Sequence, residues 1–316
     1  MNARPYDVLI VGELNVDIVL TGDVVPEFGQ TEKLVDSLTV CAGSSSAIFA
    51  AAAAKLGLRV LFTGRVGDDL FGRFLIQSLE TVGVETDRIM LDPDVQTGAC
   101  VVLSRAGGAD RAMLTYLGSI AKVDERDVSP DLFYLARHLH VASPFLLKGL
   151  RAYMPEMMRE AHATGMTVSL DTNWDPEQRW DTAGLFDELD LFLPNENELL
   201  AITRLQDAEQ ALNAMAARVS LLAVKRGERG ATVCRGAERI DVPAVAVDVV
   251  DSTGAGDSFD AGFLAGWLNG LSLRGCGLLG SACGTLTTRY PGGFRGQPTW
   301  DEAAAFVRQR LHEELA

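Results

Sequence analysis

The residues best equipped for chemistry in this 316-residue sequence lie in one run, Asp251-Ser252-Thr253-Gly254-Ala255-Gly256-Asp257. Val242 to Val250 before it reads as a strand. Phe259, Phe263 and Trp267 after it recur at helical spacing, so the local order is strand, glycine loop, helix. Glycines at 254 and 256 let backbone N–H groups turn toward a ligand at the helix N-terminus, where the macrodipole favours negative charge. A phosphate group suits that place. Asp257, at the same helix start, can accept a hydroxyl proton while the N–H groups hold phosphoryl oxygens. Its plainer role would be to cap the helix. Gly262, Gly266 and Gly270 repeat every four residues, each about 1 kcal/mol worse than Ala in a helix, so another element is expected to pack very close.

Four further groups of residues have a choice of roles. Asn195 and Glu198 share one face at the start of a helix-like run and could order water around Mg²⁺, with Glu196 a second candidate; a dipole-favoured carboxylate is the alternative. Lys225 ends a strand just before Gly227 and Gly230, where it either meets phosphate or lies in solvent. Asp171-Thr172-Asn173 leaves the strand Val168 to Leu170 at its C-terminal edge, as a ligand contact or as an Asx turn. His138 and His140 alternate in one strand-like run and read as a core pair, since two histidines make no metal site.

The elements that must position these residues follow from periodicity. Val8–Val11, Val60–Thr63, Leu139–Ala142, Val168–Leu170, Leu189–Leu193 and Leu221–Val224 are short apolar runs typical of buried strands. Amphipathic stretches such as Ser44–Leu56, Arg151–Thr164 and Asp207–Arg218 separate them, an alternation that predicts an α/β fold with a doubly wound, mainly parallel sheet flanked by helices. Ligands then belong at the strand C-termini. Segments 12–39 and 97–117 break the alternation with strand-like pieces, the second about a turn at Arg105 to Asp110; they predict a small β-sheet, either a lid or an extension of the main sheet. Thr299 to Glu302 has capping-box spacing before a last helix. The expected organisation is a single domain over 1–316.

Composition narrows the function. With 47% hydrophobic and 22% charged residues the chain can bury a sizeable core. A net charge of −15 disfavours nucleic-acid and anionic-lipid partners, so an anionic substrate would need local cations or N–H groups. Five scattered cysteines without a C-x-x-C pair argue against disulfides and zinc and for a reducing cytoplasm. No apolar stretch is long enough to span a bilayer, and the first apolar run is too short for a signal-peptide core.

The run Asp251 to Gly262 resembles the second signature of the ribokinase-like, or phosphofructokinase B, family of carbohydrate kinases. Gly12 to Asp17 resembles that family's first strand and sugar-binding aspartate; Ala42-Gly43-Ser44 with Leu56-Gly57 and Val66 to Gly72 resembles its first signature. Asn195 to Glu198 is similar to its N-x-x-E motif, and Val224 to Gly230 to its nucleotide-contacting turn. The resemblance implies a ribokinase-like fold with a β lid that transfers the γ-phosphoryl group of ATP to a hydroxyl of a sugar, a polyol or, as a variant, a nucleoside. A non-catalytic binding regulator on the same fold is the alternative, because fold alone does not fix function.

Residue by residue, it implies Asp257 as general base and Gly254, Ala255 and Gly256 as anion hole. The acceptor falls to Asp17, Asn15, Gly43, Ser44 and Ser46, joined by Asp171 and Asn173. Asp17 offers two oxygens for neighbouring hydroxyls; as a structural residue it would instead pair with a cation such as Arg65. The nucleotide falls to Asn195, Lys225, Gly227 and Gly230 with Gly254 and Gly256, and Mg²⁺ to Glu198 through water. A K⁺ site is implied at Asp251 and Thr253 beside the loop Tyr290 to Gly296, and a homodimer through the lid. Ile48 departs from the pattern: it stands where many members have a sugar-binding asparagine, and it cannot hydrogen-bond a hydroxyl.

Overall fold

The computed structural model describes residues 4–105 and 111–316. The N-terminal half runs β1 (Tyr6–Val11), β2 (Asn15–Gly22), β3 (Ser37–Gly43), α1 (Ser45–Lys55), β4 (Val60–Gly67), α2 (Leu70–Thr81), β5 (Glu85–Asp92), β6 (Gly98–Arg105) and β7 (Arg111–Tyr116). It continues with β8 (Ala136–Ala142), α3 (Met154–Ala163), β9 (Thr167–Asp171), β10 (Leu191–Phe192), α4 (Glu196–Thr203), α5 (Ala208–Ala216) and β11 (Leu221–Lys225). The C-terminal part holds β12 (Ala231–Arg235), β13 (Glu238–Val242), α6 (Ala255–Leu268), α7 (Leu273–Thr287) and α8 (Trp300–Leu311).

Nine strands form the main sheet in the order β13-β12-β11-β10-β9-β8-β1-β4-β5. It is parallel from β11 to β5, and β12 and β13 close one edge as an antiparallel hairpin. Alternation along β1 sends Val8 and Ile10 into the core under α1, α6 and α7, and Leu9 and Val11 into the core under α3. Both faces are therefore apolar, as the continuous hydrophobic runs predict. The chain winds outward from β1 to β4 and β5 on one side and from β8 to β11 on the other. The crevice between β1 and β8 is thus the switch point where such sheets bind ligands.

A second sheet, β3-β2-β6-β7, stands apart from the first, so the strand-like pieces form a separate small sheet. β3 carries it to Gly43, beyond the expected limit at residue 39, while residues 23–36 contain no strand. The expected turn starts where β6 ends at Arg105; its residues 106–110 lie outside the described residues.

The strand expected over Val242 to Val250 is absent: β13 stops at Val242 and residues 243–250 form a loop. Pro243 lacks the N–H that a continuing ladder needs, and Val249 and Val250 are more than half exposed. Leu189 to Leu193 shortens to the two residues of β10. The glycine repeat has a clear partner. A Cβ on Gly262 would lie 2.9 Å from the Gly280 Cα, so α6 and α7 meet backbone to backbone. Gly270 takes no part: it lies beyond the helix, in the left-handed region that glycine tolerates.

Candidate active site

The glycine loop enters α6 with Gly254 as N-cap, at φ 72°. A Cβ there would sit 2.7 Å from the Gly293 Cα and 2.9 Å from Ile48 Cγ2, so only glycine fits. Ile48 itself is buried and packs against this loop from below, while its carbonyl accepts from Gln297 Nε2 at 2.7 Å. No side chain caps the helix; the Ala255 N–H donates to the Ser252 carbonyl at 3.3 Å.

Asp257 does not serve as the cap. Its carboxyl is buried, and the Ser45 hydroxyl at the start of α1 favours its charged form. Burial, and after it the charge of Asp171, push its pKa up to about 7, against the pull of Lys225 and the Ser45 hydroxyl. A carboxylate that titrates near neutrality is suited to taking a proton and giving it up.

Lys225, at the end of β11, is not in solvent. Its Nζ lies 2.8 Å from Asp171 Oδ2, at the end of β9, and 2.8 Å from Asp260 Oδ2, one turn along α6 from Asp257. Burial alone would lower the lysine pKa, but these two carboxylates hold it above its ordinary value. Asp260 escaped the sequence reading, although it is the only charged residue after Asp257 in an otherwise uncharged helix, three residues along the same face. Asp171 also accepts from the Asn173 N–H at 3.1 Å, so the Asx turn and the ion pair coexist. The Asn173 Nδ2 is buried with no partner among the described residues.

Asn195 and Glu198 form a capping box: Asn195 Oδ1 accepts from the Glu198 N–H at 3.0 Å, and Glu198 Oε2 from the Asn195 N–H at 2.8 Å. Glu198 is buried; desolvation first and Asp171 second raise its pKa to about 7. The charges of Asp171 and Asp257 raise it and that of Lys225 lowers it, but no three acidic, histidine or cysteine side chains among the described residues are grouped closely enough to hold a metal ion by themselves. Glu196 is committed elsewhere, to Arg226 at 3.0 Å and to Arg229. Gly227 and Gly230 shape the turn from β11 to β12, closed by the Arg226 N–H on the Gly230 carbonyl at 2.8 Å.

On the second sheet Asp17 is buried and accepts from Asn15 Nδ2 at 2.7 Å. A Cβ at Gly43 would be 2.2 Å from the Asp17 carboxyl, so Gly43 makes room for it. Desolvation raises Asp17 to about 6, with Asn15 and Arg111 pulling the other way. The alternative pairing with Arg65 does not occur; Arg65 bonds Asp127 at 3.0 Å and Asp92. Ser44 and Ser46 are spent inside the protein. Ser44 caps α1 through the Ala47 N–H at 3.0 Å and donates to the Glu13 carbonyl, while Ser46 donates to the buried Glu13 carboxyl.

Arg111 was not foreseen. It shares a sheet face with Asp17, Cys100 and Thr115, and its Nη1 reaches Thr253 Oγ1 at 2.6 Å and Asp251 Oδ1 at 3.8 Å. Only strand alternation from a known register could have found it. Asp251 also accepts from the Thr253 N–H and the Gly292 N–H, each at 2.9 Å, which ties the glycine loop to residues 290–296. His138 and His140 are core residues, bonded through Ser169 and pushed to the neutral form by burial.

A doubly wound sheet, a glycine loop opening a helix, a buried aspartate on that helix and a small sheet over the crevice define a phosphotransferase class. The pfkB family carbohydrate kinase profile matches residues 6–300, and the chain belongs to that family of ATP-dependent carbohydrate kinases. It is 29% identical over 306 residues to the 2-dehydro-3-deoxygluconokinase of Bacillus subtilis (strain 168), covering 91% of this chain and 93% of that protein. To the ATP-dependent ribose-1-phosphate kinase of Halopiger xanaduensis it is 31% identical over 308 residues, covering 96% and 99%. Among solved structures, Arabidopsis thaliana ribokinase complexed with ribose and ATP superposes with a TM-score of 0.82 at 25% identity, covering 96% of this chain and 99% of that one. All five cysteines are free, and no helix among the described residues is long and apolar enough to cross a membrane.

Proposed function

We propose that the chain transfers the γ-phosphoryl group of ATP to a hydroxyl of a sugar or sugar-like acceptor. Asp257 acts as general base and the N–H groups of Gly254, Ala255 and Gly256 as anion hole. The observation that carries this reading is a buried carboxyl titrating at about 7 at the uncapped start of a glycine-led helix. Asp17, oriented by Asn15, grips the acceptor. Lys225 meets the phosphates from the other side, and the turn at Gly227 and Gly230 borders the nucleotide. Asn173, with its unpartnered amide, is a further donor for the substrates.

Mg²⁺ would come with the nucleotide and keep most of its water, since no group of side chains among the described residues holds it alone. Glu198, whose oxygens already accept from Asn195, would hold it through water; the ion neutralises phosphate charge when bound. A K⁺ ion at Asp251 and the Thr253 carbonyl would share that carboxylate with Arg111. Arg111 would meet an acid group on the acceptor if it carries one, as 2-dehydro-3-deoxygluconate and ribose 1-phosphate do. The outer face of the lid exposes Leu38, Val40, Leu114 and Tyr116, and a second copy of the chain would cover it. The fold and cysteine usage suit a reducing cytoplasm.

The experiment is ATP consumption against a panel of neutral sugars, acidic sugars, sugar phosphates and nucleosides. Acceptor-dependent ADP release with at least one of the first three classes is expected. Turnover with nucleosides alone would move the reading to nucleoside kinase, and none with any acceptor would favour a binding regulator.

A further inference from the structure

Lys225 has three N–H donors, and the described residues take two of them, through Asp171 and Asp260 at equal distances of 2.8 Å. The two carboxylates come from different layers. Asp171 ends β9 in the sheet, and Asp260 sits on α6 above it. With Asp171 alone, the flexible four-carbon stem of Lys225 would let the ammonium settle toward β9. With both, it is held between sheet and helix, 3.5 Å from where a Cβ on Gly256 would stand, and its third donor remains for the candidate anion hole.

We infer that Asp260 is a positioning residue for phosphoryl transfer, fixing Lys225 so that its third N–H meets the transferring group; this rests on the kinase reading above. Asp260 is almost completely buried and its Oδ1 has no partner among the described residues, an expensive placement that helix formation does not require. Burial raises its carboxyl well above the ordinary range.

The test is a double-mutant cycle of Lys225→Met, Asp260→Asn and the pair, read as kcat, acceptor KM and ATP affinity by calorimetry. Asp260→Asn should lower kcat about 30- to 100-fold and weaken ATP several-fold, with acceptor KM moved less than about threefold. Lys225→Met should do at least as much, and the pair should fall no further than Lys225→Met alone, because Asp260 acts through the lysine. Losses that multiply across the cycle, or an Asp260→Asn enzyme with wild-type kcat and ATP affinity, would overturn the inference. If Asp260→Asn does not fold, Lys225→Met against the pair decides: in the pair the new amide can still donate to Asp171, and equal ATP affinities support the inference while a further loss refutes it. A wild-type protein without turnover on any acceptor would instead defeat the kinase reading, leaving the ATP-binding cycle to judge this one.

Discussion

At the inner end of the crevice, Asp257 and Asp260 on α6, Lys225 on β11, Asp171 on β9 and Glu198 on α4 are buried and hydrogen-bonded within the protein. At the outer end, Asp17 and Arg111 stand on a four-stranded sheet whose far side is in solvent, and Arg111 is about one-third exposed. The inner end is preorganised: its charges are desolvated before any substrate arrives, which raises some carboxyl pKa values and strengthens every interaction with an incoming phosphoryl group. The outer end is more lightly tied down, as the proposed acceptor side of the crevice would need. On the proposed reading, chemistry belongs to the core and choice of acceptor to the margin.

The largest consequence of that difference is a stability penalty at Asp257. Its pKa of about 7 in the folded protein lies above the ordinary 3.8, so the folded state keeps a proton that the unfolded state has lost. Stability is untouched below the ordinary value and falls as pH climbs to about 7, by about 4 kcal/mol in all. Asp257→Asn should therefore melt higher than wild type at pH 8, with the gap closing toward pH 4. Equal melting temperatures at pH 8 would show that the inner end is not desolvated.

Asp17 should show a binding effect together with a stability effect of the same sign as at Asp257 but smaller, since burial raises it only to about 6. Asp17→Ala should lose about 1.5–3 kcal/mol of acceptor affinity, with melting temperature not lowered and ATP affinity unchanged. In the wild-type enzyme acceptor affinity should weaken as pH drops below about 6, where Asp17 takes up a proton. A variant that unfolds while keeping its acceptor would make Asp17 structural. The smallest effect belongs to Arg111, partly exposed and 3.8 Å from Asp251. Arg111→Met should change unfolding free energy by about 0–1 kcal/mol, and a larger loss in a denaturant titration would mean that the lid is welded to the core after all.

The same contrast explains what the sequence made legible. The inner end is written in contiguous runs, so Asp257 and the glycines are candidates from local spacing, while Asn195, Glu198 and Lys225 are candidates only with the family resemblance beside the spacing. Asp260 is hard to single out because a helix interior reads as packing, and the pairing of Glu196 is hidden because its partner Arg226 lies thirty residues away. The parallel core was legible from apolar runs covered on both faces. The outer end depends on register: Arg111 reaches Thr253 across 142 residues of chain, and nothing local announces that. The partners of Ser44 and Ser46 are illegible for a related reason, since the neighbour that takes their hydroxyl protons, Glu13, comes from the turn after β1.

The central claim is that Asp257 takes the acceptor's proton. Turnover and ATP affinity of Asp257→Asn, measured side by side at pH 8 on an acceptor that wild type phosphorylates, test it most directly. The account predicts a loss of about 10²- to 10⁴-fold in kcat with ATP affinity retained. Near-wild-type turnover in a clean preparation would contradict it.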